Sequence, residues 1–95
     1  MRPEDLDIKT KLIQLAEEAS ELSQACLKLV RQMDGQTPVS ETDAKMHLLE
    51  EIADVALCSK VLTSRVDDRI VTEIMAAKYK RWEERMSGKS KSEDD

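Results

Sequence analysis

Residues 8–33, IKTKLIQLAEEASELSQACLKLVRQM, decide how the rest of the chain is read. Ile8, Leu12, Leu15, Ala19, Leu22, Cys26, Leu29 and Met33 recur at alternating spacings of four and three residues, which places them on one stripe of an α-helix. Neither Pro nor Gly interrupts the stretch, Asp7 can serve as an N-cap, and Asp34-Gly35 follows it. The pattern predicts a helix over about residues 5–33.

Beyond it, Gln36-Thr37-Pro38-Val39-Ser40 reads as a short connection, and Ser40-Glu41-Thr42-Asp43 resembles a capping box with Asp in place of Glu. A second helix therefore starts there. Its stripe of Leu48, Ile52, Val55, Ser59 and Leu62, widened by Leu49, Ala56 and Val61, carries it to about Ser64. Ser64 can cap a third helix, with Asp67 and Asp68 suited to its first turn and Ile70, Ile74 and Ala77 along its face. This helix should end near Met86, and residues 87–95, without an apolar anchor, read as a mobile polar tail.

Composition agrees with an all-α fold. The 95 residues suffice for one domain, and with 2% aromatics and no Phe any core must be aliphatic. Two Gly and two Pro are too few for the turns of a β-sandwich or barrel. Cys26 and Cys58 lie far apart in apolar surroundings and read as free core thiols in a reducing compartment. The first residues carry no apolar signal core, and no run approaches the ~18 apolar residues of a membrane span, so the expectation is a cytoplasmic protein without a membrane partner. Helical stripes this long cannot all be hidden in one small monomer. The expected architecture is an antiparallel helical hairpin plus a third helix, completed as a four-helix-bundle core in a homodimer or dimer of dimers.

A short internal similarity carries the chemistry. Leu15-Ala16-Glu17-Glu18-Ala19-Ser20-Glu21-Leu22 and Leu48-Leu49-Glu50-Glu51-Ile52-Ala53-Asp54-Val55 share one order of apolar, acidic and small residues. Glu18 and Glu21 lie three apart on one helix flank, as do Glu51 and Asp54, and each directly precedes a residue of the stripe. Antiparallel pairing can bring the four carboxylates together. Their mutual repulsion calls for a cation, and the all-oxygen set suits Mg²⁺, or alternatively Mn²⁺, better than zinc. A single ExxE is usually a solvated face; two matched octets in helices that should pair are harder to obtain from surface charge alone.

Glu18-x-x-Glu21 followed by Glu51-x-x-Asp54 resembles the ExxE and ExxD signature of the MazG-like, all-α nucleoside triphosphate pyrophosphohydrolases. The strings LAEEASELSQACLKL and LLEEIADVALC are similar to that family too, so the resemblance covers about residues 10–86 and makes 1–86 a MazG-like helical domain. It implies Mg²⁺-dependent hydrolysis of a (deoxy)nucleoside triphosphate to monophosphate and pyrophosphate, in nucleotide-pool control or house-cleaning. Glu18, Glu21, Glu51 and Asp54 would be the metal ligands by motif match. Bound metal would neutralise the triphosphate and lower the pKa of an attacking water. Glu17, one residue from a ligand, is the candidate general base; Glu50 reads as a surface glutamate.

The net charge of -5 argues against stable nucleic-acid binding, but the charge is uneven: residues 1–77 carry 9 basic against 15 acidic side chains, and residues 78–91 carry 6 against 2. Lys78, Arg81 and Arg85 share one helical face. The family resemblance implies that a Lys and an Arg on this helix contact phosphate, and basic residues near a helix C-terminus also meet the dipole. Trp82 and Tyr79, the only aromatics, are candidates for base stacking or, more commonly for such residues, for interface packing. His47 precedes Glu51 by one turn and reads as a partly exposed structural histidine. Two rivals belong to other classes: a non-catalytic helical oligomerisation or adaptor module, and a carboxylate-bridged redox metalloprotein, which would want ExxH on two helices.

Overall fold

A computed structural model describes residues 1–88. A 3₁₀ turn at Pro3–Asp5 precedes α1 (Ile8–Met33), α2 (Glu41–Leu62) and α3 (Arg65–Ser87), and there is no strand among the described residues. The polar tail expected from residue 87 begins at the end of α3, and residues 89–95 lie outside the described part.

Each helix start is held by the residue the sequence offers for it. The Thr10 N–H donates to Asp7 Oδ1 at 2.7 Å, the Asp43 N–H to Ser40 Oγ at 3.1 Å and the Asp67 N–H to Ser64 Oγ at 3.1 Å. These contacts satisfy amides left over by the helical ladder. α1 stops in a Schellman turn: Gly35 has φ 71°, its N–H reaches the Gln32 carbonyl at 3.0 Å, and the Gln36 N–H reaches that of Arg31 at 2.8 Å. A left-handed residue here closes the helix and sends the chain back.

The chain divides into two compact units, Met1–Leu62 and the residues from Thr63 on. In the first, α1 and α2 pack as a hairpin, and the 3₁₀ turn lies against α2. At 26 and 22 residues the rods are about 39 and 33 Å long. Among the less exposed positions are Leu15, Glu18, Leu22, Ala25 and Leu29 on α1 and Ala44, Leu48, Glu51, Val55, Cys58 and Leu62 on α2. Both sets advance by threes and fours, as knobs-into-holes packing requires.

This seam corrects the sequence reading in two ways. Only three of the eight residues of the expected α1 stripe are shielded, Leu15, Leu22 and Leu29, whereas Ile8, Leu12, Ala19, Cys26 and Met33 are exposed, so Cys26 is not a core residue. On α2, Cys58 is half-buried and Ile52 is exposed. The stripe is broader than one neighbouring helix can cover. Secondly, Glu18 and Glu51 belong to the seam itself rather than to its flank. Ala25, Ala44 and Glu51 are the buried residues among those described, a very small interior for two long helices.

In the second unit, α3 has no buried residue. Ile70, Ile74, Met75, Tyr79 and Trp82 are all exposed along it. No helix among the described residues is long and apolar enough to cross a membrane.

Candidate metal centre

The four acids of the repeat meet in the middle of the hairpin. One oxygen each from Glu18, Glu51 and Asp54 lie within 4.8 Å of one another. Glu21 completes the group by acting on both seam glutamates. Asp54 stands close enough to Glu18, and Glu21 to Glu51, to raise the carboxyl of the other. Three residues forward along α1 thus correspond to three residues back along α2, the register of antiparallel rods.

Burial differs within the group in a way that matters. Glu51 is 8% exposed and Glu18 half-buried, whereas Glu21 and Asp54 face solvent. The Oε2 atoms of both Glu18 and Glu51 are buried without a hydrogen-bond partner. A carboxylate withdrawn from water in this way is costly unless a charge or donor meets it.

The electrostatics follow. Loss of water pushes the Glu18 carboxyl above its ordinary value, and the charges of Glu21, Asp54 and Glu51 push it further. Desolvation also raises Glu51, with Glu21 and Asp54 adding to it and His47 opposing. Burial pushes the Cys58 thiol up, with Glu18 and Asp54 reinforcing the effect. That environment disfavours the thiolate, so Cys58 is a poor candidate nucleophile.

A divalent cation fits this donor set. The oxygens are hard, they come from two rigid helices, and two of them are orphaned inside the seam. Glu18, Glu51 and Asp54 would hold it, with Glu21 at the edge of the group.

The remaining candidates are distributed along the chain as follows. Glu17 and Glu50 are exposed on α1 and α2, each beside a seam acid. Lys78, Tyr79, Arg81, Trp82 and Arg85, with Met75, border an open groove of about 400 Å³ on α3. The five form one local surface within the second unit, which includes both the basic residues and the aromatic pair.

A second feature escaped the sequence reading. Beside the acids, an open cleft of about 390 Å³ is lined by Glu21, Glu51, Gln24, Lys28, Arg31 and His47, with Ala25 at its base. Glu21, Gln24, Lys28 and Arg31 follow one another at spacings of three and four along α1, and that spacing was the signal available for finding them. Beside Cys58, the hairpin carries a smaller apolar cleft of about 200 Å³, lined by Pro3, Lys11, Gln14, Leu57 and Val61.

No family model, no curated protein and no solved structure matches the chain.

Proposed function

We propose that the protein is a divalent-metal-dependent hydrolase that cleaves a (deoxy)nucleoside triphosphate to the monophosphate and pyrophosphate, using Mg²⁺ or alternatively Mn²⁺. The observation that carries this reading is Glu51, nine-tenths buried with an unpartnered oxygen, set within ligand distance of Glu18 and Asp54. The acid pattern Glu18-x-x-Glu21 and Glu51-x-x-Asp54, similar to that of MazG-like pyrophosphohydrolases, supplies the substrate class.

Bound at these carboxylates, the metal would neutralise phosphate charge and lower the pKa of a water. The chain's own contribution is to hold four oxygens on two helices so that little rearrangement is needed on binding. Glu17, exposed beside Glu18, is assigned as the base that accepts the proton of an attacking water. Lys78, Arg81 and Arg85 are assigned to phosphate, and Trp82 or Tyr79 to the base or to an interface. Such an enzyme serves nucleotide-pool control or house-cleaning.

The active form in this proposal is a homodimer or a dimer of dimers. Leu12, Leu27 and Met33 on α1 and Leu49 and Ile52 on α2 are 46–66% exposed, more apolar side chain than a stable hairpin of this size leaves in water. A second hairpin laid against them completes a four-helix core.

Screening a full base and sugar panel of nucleoside triphosphates, with and without Mg²⁺, tests the reading. Equal amounts of monophosphate and pyrophosphate, formed only with metal, are expected. No turnover by properly oligomeric protein across the panel would overturn it and favour a non-catalytic helical module. Iron uptake with visible absorbance would instead indicate the redox alternative.

A further inference from the structure

We propose that the cleft lined by Gln24, Lys28, Arg31 and His47 binds the polyphosphate chain of the nucleotide, on the side of the acids that becomes pyrophosphate. This rests on the proposed reading of the acid site and adds a phosphate site that the α3 assignment did not contain.

The placement of charge carries the inference. The cleft is lined both by acids, Glu21 and Glu51, and by basic side chains, Lys28, Arg31 and His47. Acid and base thus lie next to each other without neutralising each other: among the described residues neither Lys28 nor Arg31 makes an ion pair. Lys28 is half-buried as a residue, the usual state of a lysine whose stem is covered while its ammonium stays accessible. A ligand that is cationic at one end and anionic along its length meets both kinds of side chain, and a metal-bound polyphosphate has that distribution.

Size and chemistry agree. A cleft of about 390 Å³ is in the range of small-ligand sites and exceeds what one ion fills. The guanidinium of Arg31 can take two phosphate oxygens at once, the Lys28 ammonium supplies a point charge, and the Gln24 amide is neutral and can donate to a bridging oxygen. All three project from α1, the helix that also carries Glu18 and Glu21, so metal-bound and distal phosphates would be held by one rigid element. In the ligand-free protein, Arg31 also lies in the last turn of α1, where a cation meets the helix dipole. That role alone gives no dependence on phosphate.

Calorimetric titration of the full-length protein with inorganic pyrophosphate, with and without Mg²⁺, tests the assignment. Lys28→Gln and Arg31→Gln should each weaken pyrophosphate binding at least about tenfold, and the double variant more. Mn²⁺ binding in the absence of phosphate should stay within about twofold, as should pyrophosphate binding by the charge control Lys9→Gln. Arg31→Lys should recover part of the loss, which separates phosphate recognition from a folding defect. Pyrophosphate binding equal to wild type in both Gln variants, or no binding by wild type, would overturn the proposal. The enzyme reading is judged separately: wild type that binds no Mn²⁺ and turns over no nucleotide defeats it, while a pyrophosphate loss confined to the Lys28 and Arg31 variants still supports the cleft.

Discussion

Glu18 of α1 and Asp54 of α2 approach each other across the hairpin, each bearing an oxygen within 4.8 Å of the other's and of Glu51's. Helix surfaces normally keep like charges apart; here the backbone register brings them together and shields part of the group from water. In the metal-free protein this arrangement is a local weakness.

Glu51→Gln should raise the melting temperature of metal-free protein, because it removes a buried negative charge that repels Glu21 and Asp54 while keeping the side-chain shape. The same change should lower metal-dependent turnover on the order of 100-fold or more, by deleting a ligand. Thermal melts in chelator alongside pyrophosphate-release assays check the opposed directions.

Stability should also depend on pH in a defined sense. Glu18 and Glu51 hold their protons more tightly when folded than at the unfolded value of 4.5, so folding takes up protons. Their penalty is fully present above the raised folded values, shrinks as pH falls through them, and is gone below 4.5. Metal-free wild type should therefore melt higher as pH is lowered from 7 toward 4.5, and Glu18→Gln/Glu51→Gln should flatten the trend. Asp7 works in the opposite sense, being lowered by its hydrogen bond from Thr10, but from an ordinary value of 3.8 it loses its contribution at more acidic pH.

Gly35→Ala should destabilise the fold by about 1 kcal/mol, since the substituted residue must keep a left-handed φ of 71°. No side chain crowds the position, so the cost is confined to the backbone. Urea unfolding with an unchanged m-value would match that origin.

Ile52→Lys places a charge on the exposed apolar face, at a residue 46% exposed in the single chain. Sedimentation should show dissociation to monomers, with the melting temperature becoming independent of protein concentration. An unchanged oligomer would move the interface elsewhere.

Much of this was legible in the sequence, because caps and periodicity are local. Asp7, Ser40 and Ser64 cap the helices they were assigned to, and α1 ends at Met33. The acid repeat was legible for the same reason, as two octets with one internal order. What could not be read was which side of a broad stripe faces the partner helix. That choice depends on how two rods dock, and it moved Glu18 and Glu51 into the seam while leaving Cys26 exposed. The Lys28, Arg31 and His47 cleft was missed because its walls come from both helices and become adjacent only once the register is known.

In the proposed enzyme the hairpin keeps its buried carboxylates for a divalent cation. Calorimetric titration of chelator-treated protein with Mn²⁺ tests this, with Glu51→Gln and Asp54→Asn as comparisons. Saturable binding by wild type, weakened at least about tenfold in both variants and accompanied by a rise in wild-type melting temperature, is the predicted result. Binding that is absent in wild type, or unchanged in both variants, would contradict the account.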